Sequence, residues 1–104
     1  MPGLADLMRE AQKMQRELQK VQERVGAEPV EGNAGGGMVT VAVAANREKV
    51  VRVAIDPQVF DKNEIEMLQD LIAAAMEQAL VKAKERMEAE MKAVTGGMKI
   101  PGMM

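Results

Sequence analysis

The sequence predicts an α+β domain in the order α-β-β-β-α, with a three-stranded antiparallel sheet and two long helices. Three observations carry this. Two long segments without internal Gly or Pro repeat apolar residues every three or four positions, the period of a helix. Between them lie two short runs of alternating valines, the period of a strand. Turns rich in Gly, Asn and Pro separate these segments.

The first helix is expected over 4–25. At about 100° per residue, Leu7, Ala11, Met14, Leu18, Val21 and Val25 share one face. Gly26 is the expected stop, with Arg24 in the last turn facing the negative end of the dipole. Residues 28–34 are ambiguous, because Pro29 and Gly32 would confine a strand there to a sheet edge. Gly35-Gly36-Gly37 reads as a turn. Val39, Val41 and Val43 then alternate with Thr40, Ala42 and Ala44. After the turn at Asn46-Arg47-Glu48, Val51, Val53 and Ile55 share a face, and Asp56-Pro57 ends the strand. Strands joined this closely pair antiparallel, and both valine faces are expected to point inward.

The second helix is expected over 63–94, with Asn63 as its cap and Glu64 and Glu66 at its positive end. Its apolar positions run from Ile65 and Leu68 through Ile72, Met76, Leu80 and Ala83 to Met87, Met91 and Val94. Ala73-Ala74-Ala75 offers small side chains for close backbone approach. Thr95-Gly96-Gly97 stops the helix before an apolar tail, 95–104. Such a helix, about 45 Å long at 1.5 Å per residue, outruns a sheet of short strands. Its C-terminal half must bury its apolar face on the first helix or on a second subunit. One domain over 1–104 accommodates all of this, with the sheet over 28–56.

Composition narrows the function. The chain has 104 residues, one aromatic (Phe60), eleven Met and a net charge of −2. The core must be thin and aliphatic, which favours help from a second copy. His, Cys, Ser, Trp and Tyr are absent, which removes the commonest general acids, bases and nucleophiles, so no enzyme is expected. Cofactor and metal sites are not expected either, and neither is a small-molecule substrate. No apolar run reaches the length of a membrane span, and the N-terminus does not read as a secretory signal, so a cytoplasmic protein is expected.

The first helix carries the most informative pattern. Arg9, Lys13, Arg16, Lys20 and Arg24 follow at spacings of 4, 3, 4 and 4 and fall within roughly an 80° arc opposite the apolar face. Gln12, Gln15 and Gln19 flank them. A row of cations beside long amides suits a phosphate backbone. The plainer alternative is a solvated face with Glu10–Lys13 and Glu17–Lys20 pairs. Lys82, Lys84, Arg86 and Lys92 form a weaker group on the second helix, diluted by Glu85, Glu88 and Glu90. Gly32 to Gly37 has phosphate-loop spacing, but Met38 and Val39 stand where Lys and Ser/Thr are needed, so a turn is the better reading. Single strands are usually held by stacking on aromatic side chains, which one Phe cannot provide; a duplex gripped by its backbone is the expected nucleic acid.

Five ordered stretches resemble the YbaB/EbfC family of bacterial nucleoid-associated proteins. They are Leu7-Met8-Arg9-Glu10-Ala11-Gln12-Lys13-Met14-Gln15, Gly35-Gly36-Gly37-Met38-Val39-Thr40-Val41 and Val53-Ala54-Ile55-Asp56-Pro57, then the segment from Glu66 to Ala75 and the closing Thr95-Gly96-Gly97-Met98-Lys99-Ile100-Pro101-Gly102. The chain departs from the family pattern at Gln69 and Glu77, neither in the basic stripe. The resemblance implies a tweezer-like homodimer that binds DNA in the nucleoid, with helical arms touching DNA and the central segment making the dimer. The expected DNA contacts are Arg9, Lys13, Arg16, Lys20 and Arg24, with Gln12, Gln15 and Gln19 beside them and Lys82, Arg86 and Lys92 extending the surface. The competing expectation is a module that binds a partner helix through Met87, Met91, Met98, Met103 and Met104. A carboxylate-based enzyme ranks below both.

Overall fold

A computed structural model of the protein describes residues 3–96. Helix α1 (Leu4–Gly26) leads into strands β1 (Pro29–Ala34), β2 (Val39–Ala44) and β3 (Val50–Ile55). A single helical turn, Pro57–Val59, precedes helix α2 (Ile65–Thr95). The sheet is antiparallel in the order β1-β2-β3, so the ambiguous segment is a strand and lies at an edge. Pro29 opens it, where a missing N–H costs least.

One face of the sheet carries Val30, Gly32 and Ala34 of β1 opposite Val43, Val41 and Val39 of β2. Helix α2 crosses this face. Its buried apolar positions are Leu68, Ala75, Ala79 and Ala83, and the three alanines form a smooth stripe. Gly32 meets that stripe: a Cβ there would collide with the Ala75 carbonyl and the Ala79 backbone N, and would lie 2.9 Å from the Ala79 Cα. Backbone therefore packs on backbone, but of the expected run Ala73-Ala74-Ala75 only Ala75 takes part: Ala73 and Ala74 are exposed, and the contact continues one helical turn on at Ala79. The core comprises Val39, Val41, Val43, Val59, Leu68 and these alanines.

At about 100° per residue, Leu71 and Gln78 fall on the β1 flank of α2, and Ile72, Met76 and Leu80 on the opposite flank. Gln78 Oε1 accepts the Asn33 N–H (2.7 Å) and Leu71 lies against Gly35, so the β1 side is closed. The β3 side is open. The expectation that Val51, Val53 and Ile55 point into the core is not met: Val53 is 46% exposed and Ile55 38%. Helix α2 sits over β1 and β2 and does not reach them. A register irregularity at Ala42/Val43 also pairs Val43 with Val50 and displaces Val51. On the opposite face, Arg52 pairs with Glu31 across β2, and Ala42 between them is buried.

Helix α1 packs by its C-terminal end. Val21, Val25 and Ala45 cluster with Met87, Met91 and Val94, so the distal half of α2 does bury its apolar face on the first helix. Gly26 is the last helical residue and no left-handed stop follows, since Ala27 remains right-handed. Gly26 instead makes room for Asn46, whose Cβ would lie 3.2 Å from an added methyl. Asn63 does not cap α2: Glu64 takes that position without a side-chain bond, and the Asn63 N–H binds Asp61 Oδ1 (2.9 Å). Gly96, left-handed at φ 61, ends the helix as expected. The rest of the predicted tail lies outside the described residues.

Candidate nucleic-acid interface

The two helices build an arm that leaves the sheet at one end. Strands β1 and β3 begin at that end and β2 finishes there, as does α1, so the arm's base holds Glu28, the β2–β3 turn and the α2 segment near Ala83. The protein measures 71 × 23 × 16 Å. Its radius of gyration is 19.4 Å, against about 13 Å for a compact chain of 100 residues.

Because α1 presents Val21 and Val25 to α2, its opposite face looks directly into solvent. Arg9, Lys13, Arg16, Lys20 and Arg24 all lie on that face and all are exposed, as are Gln12, Gln15 and Gln19. Arg9 approaches Asp6 (3.6 Å) and Lys20 approaches Glu17 (3.9 Å), both loose pairs one turn apart on exposed helix. Exposed pairs of this kind are worth little and yield readily to a phosphate. Among the described residues, Lys13, Arg16 and Arg24 have no carboxylate within ion-pair distance.

The second group divides. Lys82 and Lys92 are exposed. Arg86 donates to Glu28 Oε2 (2.7 Å) and lies 3.5 Å from Glu90 Oε1, tying α2 to the segment ahead of β1. Met87 and Met91 are half-buried against Val21 and Val25, inside the arm. Met98, Met103 and Met104 lie outside the described residues. Gly32 stands in β1 and Gly35, Gly36 and Gly37 form the turn after it, all three with positive φ, as the turn reading requires. Among the described residues no His, Cys, Asp or Glu cluster suits a metal ion, and no helix is long and apolar enough to cross a membrane.

Fold and charge pattern together define a small α+β protein with a projecting helical arm that carries cations along its outer face. The chain belongs to the YbaB/EbfC DNA-binding family, whose model matches residues 1–98. It is 46% identical over 101 residues to a nucleoid-associated protein of Caldanaerobacter subterraneus, covering 97% of this chain and 90% of that one. It is 48% identical over 102 residues to a nucleoid-associated protein of Acetivibrio thermocellus, covering 97% and 89%. In architecture it is similar to the crystal structure of an uncharacterised Helicobacter pylori protein, with a TM-score of 0.61 at 20% identity over 76% of this chain and 90% of that one.

Proposed function

We propose that the protein is a nucleoid-associated, non-enzymatic binder of double-stranded DNA that works as a cytoplasmic homodimer and grips the phosphate backbone with its helical arms. The observation that carries this reading is the α1 stripe: five cations in one arc on an arm held clear of the body. Neutralising phosphates with such a row releases counterions, so affinity should fall steeply with salt. Gln12, Gln15 and Gln19 supply secondary hydrogen bonds, and Lys82 and Lys92 extend the surface. Arg86, held by Glu28 and Glu90, contributes less.

A second copy is supported by surface area. The chain exposes 7796 Å², against about 5,700 Å² for a compact monomer of its mass. The difference, roughly 2,000 Å², lies in the projecting arm and in the uncovered β3 side. Part of it is apolar and continuous: Val53 and Ile55 of β3 beside the Ile72, Met76 and Leu80 flank of α2, with β3 paired on one side only. Bringing two such faces together sets two arms on one duplex.

The test is binding to a fluorescent duplex of about 30 base pairs at several salt concentrations, with a single strand as control. Duplex binding that collapses as salt rises is expected. Lys13→Ala or Arg16→Ala should lower the salt slope by about 1 per contacting subunit. Unchanged slopes across the α1 variants would remove the stripe from the interface.

A further inference from the structure

We propose that the β2–β3 turn is a third phosphate-contacting element, with Arg47 as its principal contact and Lys49 as its second. The inference rests on the DNA-binding reading above and adds residues that lie outside both helices.

The turn is built against the foot of the arm. The Asn46 N–H donates to the Gly26 carbonyl (3.0 Å), and the Ala45 N–H donates to the Glu28 carbonyl (2.9 Å). The Asn46 side chain packs where Gly26 leaves space, and its Oδ1 accepts the Glu48 N–H (2.9 Å). The Arg47 N–H donates to the Ala44 carbonyl (2.8 Å). Arg47 is thereby pinned at φ 64, the one non-glycine residue in the left-handed region among those described. At such a position Cβ crowds the following carbonyl, and Gly or Asn is the usual occupant. A long cation there is unfavourable for the fold, and the geometry points to a role in binding.

Charge distribution agrees. Residues 47–55 carry Arg47, Lys49 and Arg52 against Glu48, a net +2, next to the arm. Residues 56–81, which follow the far end of the sheet and include the first half of α2, carry six acids against Lys62, a net −5. A duplex lying along the arms is repelled by the far end and meets positive charge at the arm's foot. Arg52 is engaged by Glu31, which leaves Arg47 and Lys49, both exposed and, among the described residues, without a carboxylate in ion-pair range.

The experiment compares the full chain with Arg47→Gly, Arg47→Asn, Arg47→Lys and Lys13→Ala, measuring melting temperature and duplex binding against salt. Arg47→Gly and Arg47→Asn should keep or raise the melting temperature. Both should weaken binding roughly 5- to 10-fold at about 0.1 M salt and lower the slope by about 1 per contacting subunit. Arg47→Lys should restore most of the affinity. If Lys13→Ala lowers the slope while Arg47→Gly and Arg47→Asn bind like the parent, the turn is not a contact and the α1 reading stands. If the parent itself does not bind duplex, both readings fall.

Discussion

Gly32 determines how close α2 comes to the sheet. Its missing side chain lets Ala75 and Ala79 bring the helix backbone against β1, and nothing larger than hydrogen fits. Gly32→Ala should therefore destabilise the fold by about 1–3 kcal/mol, the usual result of overpacking a well-filled site. For a domain of this size that is a fall of about 4–8 °C in melting temperature per kcal/mol, read by circular dichroism. An unchanged melting temperature would mean that the helix shifts without penalty. Arg86 behaves differently from the stripe cations because Glu28 and Glu90 already hold it. Arg86→Ala should lower stability by up to about 1 kcal/mol and leave the salt slope of DNA binding nearly unchanged. A slope change as large as that of Lys13→Ala would return Arg86 to the interface.

At the scale of elements, α1 is supported at one end. Val21 and Val25 are buried, Met14 and Leu18 half-buried, and Leu7 is 56% exposed. The unpacked stretch 4–13 is shorter than the roughly 12–15 residues below which a lone helix is marginal in water, because tertiary packing supplies most helical stability. Amide hydrogen exchange should thus be fastest over 4–13 and slowest over 18–26, and a bound duplex should slow the first group most. Uniform protection along α1 in the free protein would show that something else covers its first half.

At the scale of the molecule, the long shape and the open β3 side belong together. A core of valines and alanines packed under half of one helix leaves Val53, Ile55 and Phe60 exposed, Phe60 at 61%. Placing a charge in the proposed interface should separate the subunits: Val53→Lys is expected to sediment as a monomer while keeping its helical content. Losing one of the two arms should roughly halve the salt slope, since the slope counts neutralised phosphates. A Val53→Lys variant that remains dimeric would move the interface away from β3.

Helix and strand positions, the antiparallel hairpin and the basic stripe were legible in the sequence because each depends on periodicity or on residues a few positions apart. Leu7 to Val25 and Val39 to Val43 repeat with the helical and strand periods, and Arg9 to Arg24 fall in one arc whatever the helix packs on. The family could also be read from five ordered motifs. Local pattern does not contain what lies across a gap. The valines of β3 alternate like those of β2, yet β2 is buried and β3 is not, because α2 passes over one and misses the other. The helix rests on Ala75, Ala79 and Ala83 rather than on its larger side chains because Gly32, more than forty residues away in the chain, admits only a smooth surface. Arg86 is set apart from Lys82 by Glu28 as well as by Glu90 on its own helix, and Arg47 stands out only through a backbone angle set by contact with the end of α1. Burial, pairing and strain are decided by which segments the fold brings together, and those decisions belong to the tertiary structure.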